Sequence, residues 1–212
     1  PNVVAVYDAG RQDGVDYLVM ELVPGRTAQE HIEKEGSLPW RSATRVLCDL
    51  CRGVAAAHAA GMIHRDIKPG NVILSADGTP KLVDFGLVKA HDSSVATMTG
   101  QGSILGTPLY MSPEQCRAER VDERSDLYSL GATYFALLTG RPPFPAESPM
   151  QVMFAHCSNP VPDAREAAED IPEGCAAIVR RAMSKYPNER YASANEMLAD
   201  LQAVLDGALV RA

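Results

Sequence analysis

The chain has 212 residues, 46% hydrophobic and 22% charged, which is enough for one cored domain or for one domain missing a piece, and too apolar for a disordered tail. A formal charge of -7 and a pI near 5.2 exclude the global basic field that would draw nucleic acid or an anionic membrane surface. The longest apolar stretch, LYSLGATYFALL from Leu127 to Leu138, falls short of the roughly 20 residues of a membrane span and predicts a buried helix instead.

In chain order, the β-rich runs PNVVAVYDAG and VDYLVMEL flank the turn-forming RQDG and predict a hairpin, with Pro24 and Gly25 ending its second strand. Helical patterns follow from Thr27 to Glu35 and from Arg41 to Ala60; Ser37 to Pro39 supplies a start and Gly61 a stop for the second. Met62 to Asn71 is then a loop. Val72 to Leu74 and Lys81 to Val83 flank SADGTP, whose Asp-Gly pair predicts a second hairpin. From Asp84 to Pro113 the chain is polar and without period, too long for an ordinary connection and therefore a candidate functional loop. Helices are expected at 124–139, 148–156, 174–184 and 194–206, joined by Pro-rich connections.

No charged, then apolar, then small-residue leader opens the sequence, so a cytoplasmic setting is expected. The five scattered cysteines predict free buried thiols. Cys48 and Cys51 form a CxxC, but on a helical pattern without a second ligand pair they read as structural rather than zinc-binding.

Two motifs carry the chemistry. His64 to Asn71 reads HRDIKPGN, and Asp84 to Gly86 reads DFG. Either tripeptide core alone is weak; their joint spacing resembles the protein kinase family, of the bacterial serine/threonine type. The resemblance implies a truncated α+β kinase fold: a partial small lobe of two strands over 1–20, a hinge at 21–25, and a mainly helical large lobe over 26–212, with an activation loop at about 84–114.

It also implies roles, residue by residue. Asp66 would accept the hydrogen bond of the attacked hydroxyl and, late in the reaction, its proton; Lys68 would touch the γ-phosphate of ATP, and its place two residues on is that of serine/threonine kinases. Asn71 and Asp84 would hold Mg2+, or Mn2+, through hard oxygens. Met20, Glu21 and Val23 would form the ATP-binding hinge, with Ile73 beneath the adenine; taken alone they read as strand core. His64 and Phe85, followed by Gly86, fit the column that sets active geometry, and Val6 would continue it. GTPLYMSPE resembles the substrate-docking segment, with SPE where APE is usual, and Thr107 would bridge Asp66 and Lys68. Glu114 and Arg190 would form a buried ion pair. Asp126 would accept bonds from the catalytic-loop backbone, although alone it reads as an N-terminal helix charge. Gly131 would permit close packing. Arg65 would pair with a phosphate on the long loop, for which Thr97 and Thr99 are preferred and Ser103 stands behind; an unmodified polar loop is the bland alternative.

Protein substrates with serine or threonine acceptors, and self-association for autophosphorylation, are the implied partners; no nucleic-acid or membrane partner is implied. The sequence contains no GxGxxG loop, no lysine in a VAIK-like strand and no helix bearing its glutamate partner, so a fragment of a longer kinase, with little or no turnover alone, is expected. A pseudokinase-like interaction module and a phosphotransferase acting on a small-molecule alcohol remain the competing readings.

Overall fold

The computed structural model describes residues 1–84 and 108–208. Its first element is the predicted hairpin: β1 (Val6–Gln12) and β2 (Val15–Met20) pair antiparallel, with Gln12 opposite Val15 and a register shift between Val6 and Asp8. Asp13 and Gly14 both take positive φ, 52° and 81°, which gives the turn a twist that matches that of the strands. Val4 N–H bonds the Leu82 carbonyl at 3.0 Å and Leu82 N–H bonds that of Asn2 at 2.9 Å, which tethers the hairpin's leading segment to the rest of the chain.

The strand does not run on to Pro24 and Gly25, as expected, but stops at Met20. Gly25 instead opens β3 (Gly25–Thr27), which joins β4 (Val72–Ser75) and β5 (Pro80–Leu82) in an antiparallel sheet of order β3-β4-β5. The physical reason is close approach: a Cβ on Gly25 would lie 2.4 Å from the Leu74 carbonyl oxygen. Between β4 and β5 the Asp-Gly turn forms with Gly78 at φ 84°.

The helices follow their sequence signals closely. Thr27 caps α1 (Ala28–Glu35) in a capping box with Glu30, and Gly36 at φ 83° ends it. In α2 (Trp40–Ala59), Leu47, Leu50, Cys51 and Val54 form one buried stripe. Ser112 and Gln115 make a second capping box on the short α3 (Pro113–Cys116), which the sequence reading did not anticipate. Asp122 caps α4 (Glu123–Thr139), whose residues Ser125 to Leu138 are all buried, and Gly140 closes it in the left-handed conformation. Ser148 caps α5 (Pro149–Ser158), α6 runs Glu173–Ala182, and Ser193 caps α7 (Ala194–Leu205).

The buried α4 is the axis of the core, packed against α2 and α6, while α7 covers α2. At Gly131 a Cβ would meet the Ala182 Cβ at 2.7 Å, so α4 and α6 approach as closely as they do only because that position lacks a side chain. The fold is α+β, and among the described residues no helix is long and apolar enough to cross a membrane. All five cysteines are free; Cys48, Cys51 and Cys175 are buried, as expected, while Cys116 and Cys157 are only half-buried. Burial pushes the Cys48 thiol up to about 11, so it stays protonated on the α2 stripe.

Candidate active site

Gly61, at φ 74°, turns the chain out of α2 and releases Met62 to Lys68 as a loop; Pro69–Asn71, expected to belong to the same loop, instead form one turn of 3-10 helix with proline at its start. That loop is wrapped on Asp126 of α4. Asp126 is 1% exposed, and a carboxylate that far from water must be supplied with donors. Its Oδ2 accepts from the His64 N–H and from His58 Nε2, and its Oδ1 from the Arg65 N–H, each at 2.8 Å. Arg65 takes φ 69°, a left-handed conformation that L-residues adopt only when held. The Asp126 bond holds it on one side, and Gln115 Nε2, donating to the Arg65 carbonyl at 2.7 Å, on the other.

The strained residue delivers Asp66. Lys68 Nζ donates to Asp66 Oδ2 at 2.8 Å, and Asn71 Nδ2 donates to the same oxygen at 3.1 Å and to the Asp66 carbonyl at 2.8 Å. Both donors fall on Oδ2, and the Asp66 side chain is 54% exposed, open to an incoming group. Spending its N–H bonds on Asp66 also orients the Asn71 amide, leaving its carbonyl oxygen as the atom to face a cation. The backbone of Asn71 accepts from Val83 N–H at 2.9 Å, and Asp84, exposed and at φ 61°, comes one residue after the Val83 N–H that bonds Asn71, two past the end of β5. Two hard oxygen donors, an amide and a carboxylate, suit Mg2+ or Mn2+.

His64 is fully buried; its Nε2 donates to the Val83 carbonyl at 3.0 Å and its Nδ1 accepts from the Asp66 N–H at 3.2 Å. Burial pushes the imidazole down despite the nearby Asp126 charge, which keeps it neutral and able to play both parts. Val6, expected to continue a column with His64, is instead 55% exposed on the hairpin, because β1 has no layer covering that face among the described residues. Phe85, Gly86, Thr97, Thr99, Ser103 and Thr107 lie outside the described residues.

Met20 ends the hairpin and Glu21 and Val23 follow it, and no described contact joins the three to Asp66 directly. They approach it through the sheet: Glu21 N–H bonds the Ala5 carbonyl at 2.8 Å, its carboxylate pairs with Lys81, and Lys81 sits opposite Ile73 on β4.

Glu114, at the start of α3, and Arg190 form the expected pair as a two-pronged contact, both N–O distances 2.8 Å, with the two residues 4% exposed. Burial pushes the Glu114 carboxyl up, but hydrogen bonds from Arg190 and Ser125 outweigh it and hold the group down at about 2. Arg190 also donates to the carbonyls of Arg124, Ser184 and Lys185, so it ties three segments together. His58 and Gln115, the props of Asp126 and Arg65, escaped the sequence reading; only the placement of His58 six residues before His64, on the face of α2 toward the loop, could have signalled it.

A model of the protein kinase domain matches residues 1–201. The serine/threonine-protein kinase PknB of Mycolicibacterium smegmatis is 40% identical over 212 residues, covering 98% of this chain and 34% of that protein. For the probable serine/threonine-protein kinase PknB of Bifidobacterium longum the identity is 38% over 216 residues, covering 98% and 31%, and for PknB of Mycobacterium tuberculosis 39% over 212 residues, covering 98% and 34%. The chain thus spans about a third of the length of these curated relatives. With the family model matched from residue 1 to residue 201 and the HRDIKPGN loop seated on the core of an α+β fold, the chain belongs to the protein kinase family.

Proposed function

We propose that this chain carries the phosphoryl-transfer site of a serine/threonine protein kinase, acting in the cytoplasm, where ATP is supplied and free thiols persist. The observation that carries this reading is the convergence of Lys68 and Asn71 on one oxygen of Asp66, on a loop clamped from below by Asp126. With Oδ2 so occupied, Oδ1 is the atom that accepts the hydroxyl of a serine or threonine. That hydroxyl oxygen attacks the γ-phosphorus of ATP, the bond from that phosphorus to the β,γ-bridging oxygen breaks, ADP departs, and the hydroxyl proton passes to Asp66. Lys68 swings from Asp66 to the γ-phosphate oxygens, a short move for a 40% exposed side chain. A bound Mg2+ supplies charge neutralisation on the phosphates, and Asn71 and Asp84 are the residues that would hold it.

In the same reading residues 21–25 are the hinge, with Glu21 and Val23 presenting backbone groups to adenine over Ile73, and Thr107 orients Asp66 and Lys68. Thr97 and Thr99 are the sites whose phosphorylation, by a second copy of the kinase, would engage the exposed Arg65. The relatives' names, serine/threonine-protein kinases, support the choice of acceptor.

The test is Mg2+-dependent transfer from labelled ATP to serine- and threonine-containing peptides by the natural gene product bearing this chain. Asp66→Asn lowers kcat by about 10²- to 10⁴-fold, the usual worth of a positioned base. Full turnover in that variant overturns the assignment; ATP binding by the wild-type protein with no turnover at all indicates an interaction module instead.

A further inference from the structure

His156 of α5 lies in none of the motifs above, yet it is fully buried with both ring nitrogens engaged. The Leu109 carbonyl, 3.0 Å from Nε2, can only accept, so Nε2 carries the proton. Nδ1 is then the acceptor, and the Tyr128 hydroxyl donates to it at 2.9 Å. The ring is boxed by edge contacts to Phe144, with centroids 5.0 Å apart, and to Tyr128, at 5.6 Å. Lys185 closes the box, donating to the His156 carbonyl at 3.0 Å while lying 4.7 Å over Phe144. Burial, reinforced by the Lys185 charge, pushes the imidazole down to about 4, so the single-donor form persists at neutral pH.

What this arrangement holds is the stretch from Leu109 to Ser112, which belongs to no helix or strand. Such a stretch keeps one shape only if side chains bind its backbone. Ser129 Oγ donates to the Tyr110 carbonyl at 2.8 Å, so successive carbonyls are fixed from α4 and α5. A few residues on, Gln115 bonds the carbonyl of Arg65, next to Asp66, so the stretch has a fixed station relative to the reacting carboxylate.

We infer that His156 is a positioning residue for the protein substrate: through the Leu109 carbonyl it fixes the LYMS stretch, which, by its resemblance to the kinase substrate-docking segment, is where the acceptor peptide would lie. The inference rests on the kinase reading and adds to it a determinant of peptide affinity remote from Asp66. Removing the strut lets the stretch relax, which weakens peptide binding and leaves the nucleotide side untouched.

The experiment uses the full-length protein with His156→Leu, His156→Gln and Tyr128→Phe, and compares KM for a serine/threonine peptide, KM for ATP, intrinsic ATP hydrolysis and Tm. His156→Leu raises peptide KM about tenfold, the loss of roughly one hydrogen bond, with KM for ATP and ATP hydrolysis within about twofold. His156→Gln, which returns an amide N–H to the place of Nε2–H, recovers most of the loss in peptide KM; a structural role alone would lower Tm or move both KM values, without this selective effect on the peptide. An unchanged peptide KM, or an equal rise in both KM values, overturns the inference. If His156→Leu does not fold, Tyr128→Phe decides, because it keeps the shape and removes only the hydroxyl: peptide KM rises a few-fold, or the inference fails. A wild-type protein that hydrolyses ATP but phosphorylates no peptide strikes the kinase reading itself, a result distinct from any difference among the variants.

Discussion

Asp126 shows how one buried charge can organise a site without touching its reacting carboxylate. Its oxygens take donors from His58, His64 and Arg65, and two of those are backbone groups that nothing else could satisfy inside the protein. Asp126→Asn keeps the volume but turns one acceptor oxygen into a donor, so a buried N–H is left facing an N–H. The expected cost is about 2–4 kcal/mol of stability, read as a lower urea midpoint, with a fall in kcat because Arg65 loses the bond that holds its left-handed backbone. A variant with wild-type midpoint and turnover contradicts this account. Asp126 itself was legible in RSDLYSLG, since a motif match pointed to it. His58 was not: in AAAHAA it looks like any helix residue, and its partner is 68 positions away.

Among the elements, the Glu114–Arg190 pair makes α3 more than its single turn of helix could be. Too short to be stable alone, α3 is pinned by its Ser112 cap and by this ion pair, and it carries Gln115 to Arg65. Arg190→Met strands the Glu114 charge and costs about 3–5 kcal/mol. The pair also sets an acid limit. A carboxyl held at about 2, against an ordinary value of 4.5, binds fewer protons folded than unfolded, so its stabilisation is complete above pH 4.5 and drains away as the pH falls toward 2. The contribution is about 3 kcal/mol, so urea midpoints taken between pH 5 and pH 3 should fall more steeply for the wild type than for Glu114→Gln. Equal slopes would mean that the pair is not formed. The same element marks the boundary of what pattern reading reaches. Helices of eight residues or more announced themselves through period and caps, whereas α3 and β3 are too short to show a period and exist because tertiary partners, Arg190 and the Leu74 backbone, hold them in place.

At the scale of the molecule, the chain has two tiers of cohesion. The helical body encloses α4 on all sides, while the β1–β2 hairpin leaves Tyr7 and Val15 each 68% exposed and Val6, Tyr17 and Val19 more than two-fifths exposed. A two-stranded hairpin that buries so little is marginally stable by itself. What attaches it is local: the Val4–Leu82 and Asn2–Leu82 backbone bonds, the bond from the Asn2 side chain to the Pro80 carbonyl, and the Lys81–Glu21 ion pair. Opening the hairpin therefore breaks those bonds without disturbing the core, whereas opening α4 requires unfolding everything around it. Native-state hydrogen exchange should separate the two: amides from Val6 to Met20 exchange through a low-cost local opening, at least about 10³-fold faster than those of Leu130 to Leu137, which exchange only on global unfolding. Lys81→Ala removes one tether and should speed the hairpin amides further while leaving the α4 amides unchanged. Matching protection in hairpin and α4, or a Lys81 effect that reaches α4, would show that the hairpin is built into the core after all, and the bulk of its stability would have to come from contacts other than these few bonds.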